Sequence, residues 1–369
     1  MINFKTLRHR ASHYLLLGAL TCVCWFSSPL HSQEQKVQKA LPWQTILQLD
    51  NDLFAGSDRD YTNGIRFAFI KEMGPDTSLN RFLEKQLYAL SGAEINGGFF
   101  KWRLKKRDNL RFAYGAGLTQ LMFTPDDFTA SEAPEGERPY AGWLGLEFSL
   151  HAKNDKEVSS VTLSLGTTGD ASMAEEAQDW VHTNISDSPI YQGWDSQVPN
   201  QFTLNLHFDQ KQRIEALDYS FRGVLRIDGY SEWGGALGNF RTNAYVGGLL
   251  RFGYNLPATH STPRVQLGSY GHELFRAENP TDKAFSILVF GGIRATAVAH
   301  DITLDGPLLD SFETGVDANA LVGELVTGFG LRYRAVALSF SQTVRSDEFK
   351  GQNKNQRFGS VMLRFQTSL

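Results

Sequence analysis

Asn51 and Asp52, followed by Asp58, Asp60 and Thr62, crowd carboxylates, an amide and a hydroxyl into one short junction. Such a density of hard oxygen donors is how proteins hold calcium. The same residue types are also ordinary in a solvated turn. A second cluster lies between Gly169 and Gln197. Ser172-Met173-Ala174-Glu175 reads as a capping box, so a helix is expected to start there. Gln178 and His182 are four apart on it and share one face, while Trp180 and Val181 point elsewhere. Histidine is the side chain best suited to take a proton at neutral pH. A surface histidine with no task fits the same letters. Asp187, Gly193-Trp194 and Gln197 follow.

Two further polar clusters carry less. Thr124-Pro125-Asp126-Asp127-Phe128 reads as a capped turn. Glu137-Arg138-Pro139-Tyr140-Ala141-Gly142-Trp143 leads an arginine into an aromatic strand. Its aromatics read as an interfacial girdle, and the task of Arg138 stays open. The chain has no Gly-x-Ser-x-Gly elbow, no His-Glu-x-x-His zinc motif and no phosphate-binding Gly-rich loop.

The elements that must position these groups alternate with period two, the mark of strands. The first cluster joins Thr45–Leu49 to Ile65–Phe69. Further strands are expected at Leu110–Met122, Tyr140–Ala152, Ser159–Gly166, Phe202–Phe208, Ile214–Ile227, Thr242–Tyr254, Ala284–His300, Leu321–Tyr333 and Val336–Val344, with a last one from Phe358. That is about twelve, and an even number suits a single-chain bacterial barrel. Short turns at 153–156, at 209–212 and near Arg334 share one parity, expected to be the periplasmic end. The loops at Asp52, Thr124–Asp127, Gly169–Val198, Gly229–Asn239 and Asp301–Asn319 fall at the other end, outside the cell. The long connections 72–109 and 255–283 strain this pattern; the first holds an expected amphipathic helix, Ser78–Leu90. The fold class read here is all-β: a transmembrane antiparallel β-barrel with a short helix in an extracellular loop. A soluble β-sandwich would alternate in the same way.

Arg8 and Arg10, the apolar run Tyr14–Phe26 and then Ser27-Ser28-Pro29 read as a secretory signal. Cleavage is expected near Ser32, leaving residues 33–369 as one barrel domain. Both cysteines, Cys22 and Cys24, lie inside the signal. The mature chain is therefore expected to lack disulfides, thiol chemistry and cysteine metal sites. A formal net charge of −4 gives no reason to expect nucleic acid.

Taken together these pieces resemble the lipid A 3′-O-deacylase (LpxR) family of outer-membrane enzymes. The matching residues are Asp50-Asn51-Asp52, Asp60-Tyr61-Thr62-Asn63-Gly64, Thr124-Pro125, Arg138 to Trp143, Gln178 with His182, Gly193-Trp194, Gln197, and Gly291-Gly292 with Asp301 to Gly306. The resemblance spans nearly the whole mature chain in the same order. It implies a twelve-stranded barrel in the bacterial outer membrane whose site lies near the outer leaflet. It also implies a calcium-dependent esterase that removes the 3′-linked acyloxyacyl group of lipid A. By motif matching, Asn51, Asp52, Thr62 and His182 take the key positions, and Gln178 a further one. Asp52 is the firmest calcium ligand; Asp187 is the nearest candidate for a carboxylate that follows the histidine. Asp126-Asp127 stands in the loop where the family enzyme compared has an adjacent Lys-Arg pair, and Arg138 is the substitute cation for the substrate. The implied partners are lipopolysaccharide and the outer membrane. A closed barrel needs no second copy, so a monomer is expected. A phospholipase on the same apparatus, or a non-enzymatic pore or adhesion barrel, are the alternatives.

Overall fold

Ile65, Phe67 and Phe69 are exposed, while Arg66, Ala68 and Ile70 between them are fully buried. Apolar side chains outside and a buried arginine inside are the reverse of a soluble sheet. Only a wall between lipid and a polar lumen asks for that pattern. A computed structural model of the chain describes residues 43–52, 60–74, 77–91, 94–97, 100–103, 110–127, 129–154, 156–186, 189–256, 267, 285–308, 310–352 and 355–367. The expected signal, residues 1–32, lies outside these residues.

Twelve long strands close into one antiparallel barrel. They are β1 (Trp43–Asn51), β2 (Asp60–Glu72), β3 (Arg111–Thr124), β4 (Ala141–Lys153), β5 (Glu157–Thr168) and β6 (Phe202–Arg213). The second half is β7 (Leu225–Gly238), β8 (Arg241–Tyr254), β9 (Phe285–Asp301), β10 (Leu321–Tyr333), β11 (Val336–Arg345) and β12 (Gln356–Thr367). β1 pairs with both β2 and β12, which removes the free edges. That closure excludes the sandwich.

The seventh strand is not where its sequence suggested. Residues 209–212 are not a turn: β6 runs on to Arg213, and β7 covers 225–238 rather than 214–227. The reason is the lumen. Asp209 accepts from the Tyr245 hydroxyl and Lys211 pairs with Glu232 at 3.4 Å. Polar letters that imitate a turn are here the inward face of a strand. The glycine-rich stretch 229–238 is likewise strand and not an outer loop, and only Asn239 and Phe240 turn the chain into β8. At Gly234 a Cβ would meet the Phe208 carbonyl oxygen at 2.4 Å, so glycine answers a close approach.

The lumen holds paired charges. Arg66 binds Glu147 at 2.9 Å, Arg251 binds Asp228 at 2.6 Å and Arg294 binds Glu232 at 2.7 Å. We call the end that carries the β1–β2 and β5–β6 connections the upper rim. Below it an apolar cap of Tyr61, Leu121, Phe123, Trp143, Phe240, Ile302 and Phe358 closes the interior, with Leu267 packed against it. At the lower rim, helix α1 (Ser78–Ser91) forms where amphipathic periodicity placed it.

Candidate active site on the upper wall

Asn51 ends β1, and its register partners are Asn63 on β2 and Gly359 on β12. Asn63 pairs with Met122 on β3, and Met122 with Gly142 on β4. One transverse row therefore joins the Asn51 junction to β4. The ladder slips between Tyr61 and Asn63, so Thr62 is the extra residue of a bulge. Bulges re-aim side chains and gather beside active sites. Tyr61 keeps to the lumen, where its hydroxyl donates to Asp50 at 3.2 Å. Thr62 is buried with its hydroxyl 2.6 Å from that of Thr124. Asp52 follows Asn51 directly and is fully buried. It lies just past the last β1–β2 pair, Asn51 with Asn63, and Thr62 is the residue next to Asn63 on the other strand.

The β5–β6 connection folds back over the outward face of the same row. It opens with a single turn at Asp170–Ser172 and continues as α2 (Ala174–Val181). Gly142 permits this contact: a Cβ there would lie 2.0 Å from Ser172 Oγ and 2.5 Å from Ala174 Cβ. Gln120 on β3 donates to the Ser172 carbonyl at 2.7 Å and anchors the turn. Met122, Tyr140, Ala174, Tyr191 and Trp194 then make a small core outside the barrel. Tyr140 and Trp143 are accordingly buried residues, not the girdle aromatics their sequence suggested. The expected capping box does not form. Met173 caps α2 in a left-handed conformation, with no side-chain cap. Ser172 is committed to the wall instead.

Ala174, Gln178 and His182 recur every four residues and all three are buried, so one face of α2 meets the wall. Gln178 Oε1 accepts from the Trp194 indole at 2.8 Å. Its Nε2 is buried without a partner among the described residues. His182 ends α2 and opens a π-helical turn, His182–Ser186; such turns are frequent at functional sites. His182 Nδ1 lies 2.6 Å from the Pro189 carbonyl oxygen. A carbonyl only accepts, so Nδ1 carries the proton and Nε2 keeps its lone pair. Tyr191 flanks the ring, with centroids 5.8 Å apart. Burial raises the carboxyl pKa of Asp179, while the nearby His182 pulls against that shift. Burial likewise pushes the Tyr140 phenol up to about 12.

The structure thus brings Asn51, Asp52 and Thr62 together at one bulged corner, and Gln178 and His182 onto the helix docked on the same wall. Met122 joins the two halves, and no hydrogen bond links His182 to Thr62. Arg138 is elsewhere. It lies under the rim on the lumen side, bound to Glu348 and Thr303 at 2.7 Å each and stacked 4.4 Å over Phe123. Asp58 and Asp187 lie outside the described residues, as does the side chain of Asp60. Asp179 escaped the sequence reading, and Thr124, although among the residues that match the family, was given no place in the site. Thr124 looked like a capped turn; only the bulge makes it the neighbour of Thr62.

The family described as Outer membrane protein LpxR matches residues 16–367 of the chain. Among solved structures, LpxR from Salmonella typhimurium superposes with a TM-score of 0.65 at 18% identity, over 87% of this chain and 99% of that one. The β domain of the Bordetella autotransporter BrkA aligns over 89% of this chain and 100% of its own, at 11% identity and a TM-score of 0.40. No curated protein sequence matches the chain.

Proposed function

The chain belongs to the LpxR family of outer membrane proteins, and from that premise we propose that it is a lipid A deacylase cleaving the 3′-linked acyloxyacyl ester. The observation that carries this reading is the state of His182. Pro189 fixes its proton on Nδ1, and the helix face that bears it lies on the wall beside the Asn51–Thr62 corner. The upper rim then faces the cell exterior, and the site meets the outer leaflet where lipid A resides.

His182 Nε2 removes a proton from a water molecule as that water adds to the ester carbonyl carbon. The imidazolium so formed stays oriented by Pro189 and returns the proton to the departing sugar oxygen. The Gln178 amide, buried and held through Trp194, keeps the helix face that carries His182 against the wall. The outward apolar side chains of β2 to β4 offer the acyl chains a surface continuous with the lipid. No serine or cysteine nucleophile enters this scheme, so no acyl-enzyme forms.

The corner donors are all oxygens, from Asn51, Asp52 and Thr62 with Thr124 beside it, and a buried carboxylate among neutral oxygens suits calcium. Asp52 would be the charged ligand. Calcium bound there would supply polarisation of the ester carbonyl. Activity that survives exhaustive chelation would remove calcium from the account.

The test is the mass of lipid A from cells that produce the protein. Loss of the 3′-linked acyloxyacyl group is expected with the native chain and not with His182→Ala. Lost phospholipid acyl chains with intact lipid A would assign the same apparatus to another lipid ester.

A further inference from the structure

The two connections that frame α2 are one-sided in charge. The β3–β4 connection carries Asp126, Asp127, Glu132, Glu135 and Glu137. Its single basic residue, Arg138, is buried and turned inward to Glu348. The β5–β6 connection adds Asp170, Glu175, Glu176, Asp179 and Asp195, and from Glu157 to Gln210 the chain contains no lysine or arginine. The whole chain carries only −4, so this is a concentration of negative charge on one side of the rim and not a property of its composition.

Around Glu175 the neighbouring carboxylates act on one another. Burial first, then Asp179 and Asp195, hold the Glu175 carboxyl above its usual range. A separate observation concerns acceptors. Gln197 is buried, and its Nε2 donates to Asp170 at 2.9 Å, which fixes the orientation of the amide. Its Oε1 is buried with no partner among the described residues, and so is one carboxylate oxygen of Asp179. Buried acceptors without donors ask for a donor or a cation. On this segment these two acceptors stand beside one unpaired buried amide donor, Gln178 Nε2, and lysine and arginine are missing.

We infer that this rim takes a lipid headgroup that presents positive charge, not bare phosphate. The inference rests on the deacylase reading for the site, and it names the class of substrate that site accepts. A phosphate approaching alone would meet like charge on both sides, with no exposed arginine or lysine in either connection to receive it. Positive charge has two sources with the same chemistry. It comes from ammonium groups attached to the headgroup, or from divalent cations carried on its phosphates.

Binding of lipid to the full-length protein in detergent micelles tests this, read by native mass spectrometry with no turnover required. The probes are diphosphoryl lipid A with chelator, the same lipid with magnesium, and lipid A with an aminoethyl group on each phosphate, with chelator. We expect the bare lipid to bind at least ten-fold more weakly than one of the other two. Whichever of those gains identifies the source of the charge. Equal binding of all three overturns the inference. Glu132→Lys with Glu135→Lys, two exposed positions outside the catalytic groups, should narrow the gap several-fold, and less so at high salt. A gap unmoved by that variant would belong to the lipid alone and would also overturn it. A preference for the charged forms with no deacylation in cells would defeat only the esterase reading.

Discussion

At Pro189 a carbonyl oxygen decides which nitrogen of His182 holds the proton, and the chemistry proposed depends on that choice. Thr62 shows the same dependence on a neighbour. Its hydroxyl shares a 2.6 Å contact with Thr124 because a bulge turned it out of the regular alternation. Thr62→Val keeps the shape and removes the oxygen. We expect stability to fall by about 1 kcal/mol, the worth of one hydrogen bond, and turnover to fall by more than ten-fold. Full turnover in a folded Thr62→Val barrel would separate this corner from the reaction. The helix face shared by Gln178 and His182 and the oxygen-rich Asn51-Asp52 pair stood out by residue type and spacing, while their place in one site came from the family resemblance. The contact of Thr124 with Thr62 and the presence of Asp179 were not legible, since a bulge leaves no period and a helix neighbour three residues away has no distinctive letter. Arg138 was read as a cation for the substrate; its partners lie far along the chain, on Glu348 and Thr303, where local pattern cannot reach.

Helix α2 stands or falls on its contact with β4. Any side chain at Gly142 collides with the Ser172 turn and the first residue of the helix. Gly142→Val should therefore release the β5–β6 connection and abolish deacylation, while the barrel keeps its heat resistance on gels. Retained activity in that variant would mean that docking is dispensable. Charge on the helix offers a subtler handle. A carboxyl whose pKa is raised in the folded state resists ionisation there, so its presence costs stability once pH rises through the carboxylate range. Glu175→Gln removes that cost at neutral pH. Amides of α2 should then exchange more slowly at pH 7, with the difference shrinking as pH falls and the native glutamate regains its proton. Slower exchange of the native helix at pH 7 would reverse the sign and refute the argument. The sequence foresaw a helix here and its inward face. It misjudged how the helix starts, because Ser172 serves the wall and not the cap.

Across the whole barrel, the same alternation that revealed the strands also hid one of them. Lumen-facing Asp209 and Lys211 looked like a turn, and glycines that admit neighbouring backbone looked like a loop. The parity survived because the misplaced strand was still one strand. The lumen itself argues against a channel. Paired arginines and carboxylates cross it, and the aromatic cluster of Tyr61, Phe123, Phe240 and Phe358 projects into it around a cavity of about 90 Å³. Purified protein in planar bilayers should show no steady single-channel conductance; stable open steps would favour the pore reading instead.

The most direct measurement is the mass spectrum of lipid A from cells carrying the native chain beside cells carrying His182→Ala, with both proteins verified as folded in the outer membrane. The account predicts lipid A lighter by the 3′-linked acyloxyacyl group in the first and intact lipid A in the second. Identical spectra from the two strains would contradict it.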